Sequence, residues 1–412
     1  GVTRAKLADD AVGAAAIDPA AVQVRVTGTC PAGEYLRGIN QDGTVLCDAV
    51  AVPVTRKLDT LAPFAITLAA DYTALALRPD GTPIVAYFDN ANLDLKIYVC
   101  TNPACSGPPD ARTLDANGSV GSWVSMVIRP DGRPAIAYTD SGAADLRFFD
   151  CADANCTSGV ARTLDSASAV GSYNSMALRA DGRPVISYLD ETAGDPKVYS
   201  CNDVNCTTGV ARTSGTSTSY FGVATSIVVR PDGTPTVAMF DASGGDYDIG
   251  NCSDAVCTTF ATFYYAATNA GVAQPGYTSM ALRSDNRPIF AYYHQPTADL
   301  ALIDCNNAPC STSTGRVLDS ANAVGESLSL AMRSDDRAII SYFDRTATSL
   351  KVYSCANAAC SDGGVTTVDN LGSVGQFTSI ALRPDGRPVI AYWDSSNGAL
   401  KLHICANTEC ER

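Results

Sequence analysis

The chain has 412 residues, a formal net charge of −14 and 17% charged residues. That balance argues against a nucleic-acid partner, which needs clustered Lys and Arg on its phosphates, and against charge-driven docking on an anionic membrane; no apolar run of about 20 residues is present to span one. Sixteen cysteines against two histidines, His294 and His403, read as disulfides rather than metal or haem sites and place the chain in an oxidising compartment, secreted or at the cell surface.

Residues 1–50 are expected to form a segment of their own. They open on Ala5-Lys6-Leu7-Ala8-Asp9-Asp10-Ala11-Val12 and continue through a strand-forming run, Val22-Gln23-Val24-Arg25-Val26. Next come Thr27 to Arg37 and a turn at Gln41-Asp42-Gly43, flanked by Cys30 and Cys47. This reads as a small disulfide-closed hairpin, too short and Ala-rich to bury a core alone. Gly1 is read as a processed start.

Residues 51–412 carry a repeat with a period of about fifty residues, with copies beginning near Ala74, Ser125, Ser175, Ser226, Ser279, Ser329 and Ser379. Each copy predicts four strands. In one of them, Ser175–Arg179 alternates small residues with Met176 and Leu178. A Pro-Asp-Gly turn or a variant of it follows, then Pro184–Asp190 and Lys197–Cys201, while Ala161–Asp165 is the fourth strand one repeat earlier. Four short antiparallel strands repeated seven times describe an all-β, seven-bladed β-propeller. The last repeat lacks its fourth strand, and Arg56-Lys57-Leu58-Asp59 supplies the missing string upstream. The N-terminal strand is therefore expected to close the ring.

Every repeat ends in C-x4-C: Cys100/Cys105, Cys151/Cys156, Cys201/Cys206, Cys252/Cys257, Cys305/Cys310, Cys355/Cys360 and Cys405/Cys410. Each pair is expected to close on itself across the third and fourth strands, contributing ~2 kcal/mol in the chain-entropy model. Cys30 and Cys47 form the remaining pair. Zinc ligation is the rival reading, but zinc favours C-x2-C with further Cys or His nearby.

Two side chains recur with the turns. An Asp (Asp80, Asp131, Asp181, Asp232, Asp285, Asp335, Asp385) follows two residues after an Arg (Arg78, Arg129, Arg179, Arg230, Arg283, Arg333, Arg383). Both are read as turn and blade fixtures, with a ring of ligand sites as the alternative. The second strand carries Tyr-x-Asp: Tyr87 and Asp89, Tyr138 and Asp140, Tyr188 and Asp190, Tyr342 and Asp344, Tyr392 and Asp394. Spacing by two puts both on one side of the sheet. An aromatic plate beside a carboxylate suits a sugar site, and it equally suits a blade interface with the hydroxyl bonded. Repeat four has Met239 and Asp241, repeat five Tyr292 and His294, with a longer insertion around Tyr264 to Tyr277.

The string Arg383-Pro384-Asp385-Gly386-Arg387-Pro388-Val389-Ile390-Ala391-Tyr392, with Asp394 and Leu400-Lys401, resembles repeats of large secreted bacterial propeller proteins, which look related to sialidase-like and lectin-like propellers. The resemblance covers about residues 54 to 412. Sialidases carry S-x-D-x-G-x-T-W boxes, and none occurs here, so no catalytic residue is carried over. Residues 5–12 resemble the short units of phage tail-fibre and bacterial surface-stalk segments.

Neither an oriented nucleophile and base nor an H-E-x-x-H, a Walker loop or an EF-hand loop is present. An acidic surface is compatible with calcium, but no motif indicates it, so no metal or cofactor is expected. The reading at this level is a non-enzymatic extracellular structural or adhesive protein that self-associates through its N-terminal segment into a homo-oligomer or filament. The alternatives are a lectin-like propeller that binds carbohydrate through the Tyr-x-Asp units, and a propeller glycoside hydrolase.

Overall fold

The computed structural model describes residues 34–39, 44–49, 53–60, 72–213, 221–241, 244–267 and 277–411. The chain divides into two units, Gly1–Val52 and Pro53–Arg412. In the first, Glu34–Ile39 pairs antiparallel with Val45–Ala49, which is the expected hairpin. The Val22–Val26 run, the turn at Gln41–Gly43 and the pairing of Cys30 with Cys47 lie outside the described residues.

The second unit is a ring of seven four-stranded antiparallel sheets. Blade 3 shows the pattern: an inner strand Val170–Leu178, then Pro184–Asp190, Asp195–Cys201 and an outer strand Gly209–Thr213. The inner strand starts five residues before the alternation that predicted it. Its pairing with the second strand slips between Val170 and Ser172 and again between Ser172 and Ser175. A bulge of this kind breaks the period of two, so the first half of the strand carries no alternation to read.

Ring closure follows the borrowed string. Val54–Thr60 is the outer strand of blade 7, pairing Val54 with Ile404 and Asp59 with Leu400. Leu58 is 5% exposed and packs with Trp393, Leu400 and Leu402. This pairing covers the edge that Ala399–Ile404 would otherwise leave open.

Small residues set how closely blades approach. The Ser of each inner strand accepts a hydrogen bond from a backbone N–H of the next: Met176 to Ser125 (3.0 Å), Ile227 to Ser175 (3.2 Å), Met280 to Ser226 (2.9 Å), Leu330 to Ser279 (3.0 Å), Ile380 to Ser329 (3.2 Å). Leu75 donates to Ser379 (3.0 Å) across the seam from blade 7 to blade 1; blade 1 itself has Ala74 at this position and offers blade 2 no such hydroxyl. Gly171 enforces the same closeness, since at φ +101° a Cβ there would lie 2.9 Å from Leu146 Cα of the preceding blade. The apolar cores therefore lie between blades; Met176, Ile186, Tyr188 and Tyr199 pack on Ala135, Ala137, Leu146 and Phe148.

The seven C-x4-C pairs are disulfides, each closed on itself as expected: Cys100–Cys105, Cys151–Cys156, Cys201–Cys206, Cys252–Cys257, Cys305–Cys310, Cys355–Cys360 and Cys405–Cys410, with Cα atoms 4.7–4.9 Å apart. Their placement corrects the expectation of a bridge between the third and fourth strands. The first cysteine ends or follows the third strand, but the second never reaches the fourth. Cys105, Cys156, Cys206, Cys257, Cys310, Cys360 and Cys410 all lie in the connecting loop, at φ 48–58°. The register shows why: Cys151 pairs with Gly159, Cys201 with Gly209, Cys252 with Phe260, Cys305 with Ser313 and Cys355 with Gly363. A spacing of five therefore falls short of the facing residue. The N–H of the second cysteine instead closes a tight turn on the carbonyl three residues earlier: Cys105 on Asn102, Cys156 on Asp153, Cys257 on Asp254, Cys310 on Asn307 and Cys360 on Asn357, at 2.9–3.1 Å. The disulfides staple turns rather than ladders.

Each Pro-Asp-Gly Asp, or its counterpart in the variant turns, accepts the N–H two residues on, at 2.9–3.1 Å in all seven blades. The Arg before it reaches the disulfide turn of the following blade: Arg78 to Ala154 O (2.9 Å), Arg179 to Ala255 O (3.2 Å), Arg333 to Thr408 O (2.5 Å), Arg383 to Pro103 O. These repeated motifs latch blade to blade on one face of the ring.

Candidate functional site

The Tyr-x-Asp residues meet at the seams between blades. Tyr188 OH donates to Asp165 Oδ2 of the preceding blade at 2.6 Å. Tyr87, Tyr138, Tyr342 and Tyr392 do the same to Asp59, Asp115, Asp319 and Asp369, at 2.5–2.7 Å. A cation of the third strand bridges that Asp to the second-strand Asp: Lys197 lies 2.6 Å from Asp165 and 3.6 Å from Asp190. Lys96, Arg147, Lys351 and Lys401 likewise hold Asp89, Asp140, Asp344 and Asp394. Burial, then the bond to Asp165, pushes the Tyr188 phenol far above its ordinary range. Burial alone would raise Asp165, but hydrogen bonds from Lys197 and Tyr188 outweigh it and hold the carboxyl below its usual value. The five tyrosines are at most 2% exposed. Their rings are interface, and no ring face is open to a sugar.

Two seams break this network. In blade 4, Met239 replaces the Tyr and Asp248 takes the register position of the cation, while in the sequence Gly215 aligns with the Asp that five repeats carry. Asp248 is 3% exposed. Burial first, then Asp241 and Asp246, push its pKa up to about 7. Between blades 4 and 5 the polar network gives way to rings, with Phe240 and Tyr292 centred 5.0 and 4.8 Å from Tyr247. His294 bonds Thr297 Oγ1 at 2.8 Å, and that hydroxyl donates to Asp299.

A different set of residues converges on the rim of the ring's central opening, on the face opposite the Arg latches. These occupy the position two before the inner Ser: Tyr72, Trp123, Tyr173, Ala224, Tyr277, Ser327 and Phe377. The inner-strand bulges place five of them at positive φ: Trp123 51°, Tyr173 55°, Ala224 98°, Ser327 52°, Phe377 50°. Such a conformation is costly for bulky side chains and is held where the surroundings impose it; bulges re-aim side chains in this way. Phe377, Tyr72, Trp123 and Tyr173, from four successive blades, form a continuous arc with ring centroids 5.2, 4.1 and 3.7 Å apart. Each is partly exposed.

Polar groups flank the arc. Ser122 and Ser141 hydroxyls lie 2.6 Å apart beside Trp123. Ser172, next to Tyr173, donates to Glu191 at 2.5 Å. On the facing side are Tyr277, with its pKa raised to about 12 by burial and then by Glu326, and the Glu326–Arg345 pair at 3.2 Å. The sequence holds five glutamates, Glu34, Glu191, Glu326, Glu409 and Glu411. Two of them break the repeat at this rim. On the latch face, a cavity of about 660 Å³ spans blades 5 to 7 and is lined by Arg283, Arg333, Arg337, Arg383, Asp335 and Asp336; these side chains serve turns and latches.

No family model and no curated protein matches the chain. Among solved structures it is similar to a protein of unknown function from Dyadobacter fermentans DSM 18053 (11% identity, 85% of this chain and 98% of that one, TM-score 0.52). It is also similar to the Penicillium chrysogenum α-L-arabinanase complexed with arabinobiose (8%, 86% and 98%, TM-score 0.46). A third is the SapL1 lectin in complex with alpha methyl fucoside (10%, 73% and 96%, TM-score 0.47). Likeness at these identities shows the fold alone. The expectation that the chain is not an enzyme is corrected as well: solved structures similar to it include an arabinanase, and a fold by itself gives no ground for excluding catalysis.

Proposed function

We propose that this chain is an extracellular carbohydrate-binding propeller whose sugar site is the arc Phe377–Tyr72–Trp123–Tyr173. The observation that supports it is a contiguous, partly exposed aromatic surface, re-aimed by strained bulges and bordered by hydroxyls and a carboxylate. Sugar rings present apolar C–H faces between polar edges, and ligand sites pair apolar walls with a few fixed polar groups. Seven turn disulfides suit an oxidising compartment. Calorimetric titration of the full chain with an oligosaccharide panel tests the reading. Saturable binding that weakens about 30-fold in Trp123→Ala, a loss of about 2 kcal/mol, is expected; a panel without a binder overturns it.

A second reading rests on Glu191 and Glu326, whose repeat-breaking carboxylates border the same rim. Glycoside cleavage uses such a pair, one protonating the leaving oxygen and the other acting on the opposite side. Release of reducing ends that is lost in both Glu191→Gln and Glu326→Gln would favour it over binding alone.

Self-association through residues 1–50 stays part of the proposal. The described part of that unit is one two-stranded hairpin, which is marginal in water without a surface to pack on. A chain starting at Val52 is expected to stay folded and monomeric while the full chain associates; a monomer for both at high concentration would end this idea.

A further inference from the structure

We infer that the ligand of the arc is cationic: a glycan carrying free amino groups rather than a neutral or acidic one. This rests on the carbohydrate reading above and deepens it. Three observations converge on the same face of the ring.

The arc presents Trp, Tyr and Phe ring faces, which carry the negative lobe of the aromatic quadrupole and attract an ammonium placed over them. Trp is the strongest such ring, and Trp123 lies in the middle of the arc, 4.1 Å from Tyr72 and 3.7 Å from Tyr173 by centroid.

The surrounding face is acidic by construction. The turns between second and third strands set aspartates directly opposite one another, Asp89 against Asp94, Asp140 against Asp145 and Asp190 against Asp195. Burial and then the opposed carboxylate raise Asp94, Asp145 and Asp195 above the usual carboxylate range. The seam cations on this face do not cancel that field, because each is shared by two carboxylates, as Lys197 is by Asp165 and Asp190. The Arg of every Pro-Asp-Gly turn is on the opposite face. Carboxylates thereby outnumber cations on the face that bears the aromatic rim, and a mouth lined with one sign of charge concentrates ligands of the other.

The third observation is at the end of the arc. Glu191 is held through Ser172 beside Tyr173, and buried Asn174 has an Oδ1 with no hydrogen-bond partner among the described residues. An ammonium on a sugar stacked at Tyr173 brings three N–H donors, which suit acceptors of this kind.

The test is titration of the full chain with glucosamine oligomers and with the same oligomers N-acetylated, at a pH where the free amine is protonated and at low and high salt. The free-amine oligomers are expected to bind at least about tenfold more tightly. High salt and Glu191→Gln should both shrink that preference, and Trp123→Ala should weaken binding of either oligomer about 30-fold. Equal affinity for the two forms, or binding only of other, neutral sugars from the panel, overturns the inference and leaves the carbohydrate reading standing. If neither oligomer nor any panel sugar binds, the carbohydrate reading fails with it.

Discussion

Asp248 is buried at the place where five other seams put a cation. Its carboxyl titrates at about 7 in the folded chain against an ordinary 3.8, so between these values the folded state holds a proton that the unfolded state has released. Stability contributed at this site is complete below about pH 4, falls as pH rises toward 7 and is flat beyond, a change on the order of 4 kcal/mol. Asp248→Asn keeps the neutral shape and removes the titration. Urea unfolding of native and variant chains at about pH 5 and about pH 8 is expected to show the variant gaining relative stability at the higher pH; equal differences at both would contradict it.

Tyr188→Phe addresses the seam network from the other side. Removing the hydroxyl leaves Asp165 Oδ2 with Lys197 alone, and a loss of about 1–2 kcal/mol in unfolding free energy is expected, with sugar binding unchanged. A binding defect without a stability defect would return the Tyr-x-Asp units to a ligand role. Spacing by two showed correctly that Tyr188 and Asp190 share a side of the sheet. It did not show what that side meets, because in a propeller both sides of a second strand are covered; Pro184–Asp190 is buried throughout. The arc was hidden for the opposite reason. Trp123 and Phe377 lie at bulges, where the alternation fails and a positive φ decides direction, and neither leaves a periodic trace. What the sequence did contain was a column two before the inner Ser, rich in aromatics while its neighbours repeat.

At the level of elements, the turns and the blade core were the most legible parts. Pro-Asp-Gly, C-x4-C and the second strand recur with so little variation that register follows from them. The partner of each cysteine was legible from that recurrence, but its place was not. Cys156, Cys257, Cys310 and Cys360 take a left-handed backbone in the loop, and a spacing alone carries no φ. Inner strands were foreshortened by their bulges, as Val170–Leu178 shows against its expected start at Ser175. Gly171→Ala probes this geometry. The added methyl meets Leu146 Cα at 2.9 Å and must adopt φ +101°, so a loss of about 2–4 kcal/mol is expected from strain and blade displacement together. The check is the thermal midpoint with disulfides intact; a midpoint within error of the native chain would mean the blades are not held at that spacing.

For the whole molecule, the ring closes through a strand from the start of the repeat region, and its two faces differ. One carries arginine latches and disulfide turns, the other the opposed aspartates and the aromatic rim. Blades 7, 1, 2 and 3 supply the arc, while blades 3, 4 and 5 give up the tyrosine–aspartate seams, so the sevenfold repeat is broken in adjoining sectors. The chain has two tryptophans: Trp123 in the arc and Trp393, 6% exposed in the closing seam. The rim can therefore be read directly by tryptophan fluorescence as oligosaccharide is added to the full chain. A saturable change in emission that disappears in Trp123→Phe, with Trp393 still present, is the expected result; unchanged emission with every oligosaccharide, or the same change retained in Trp123→Phe, would contradict a sugar site at the aromatic rim.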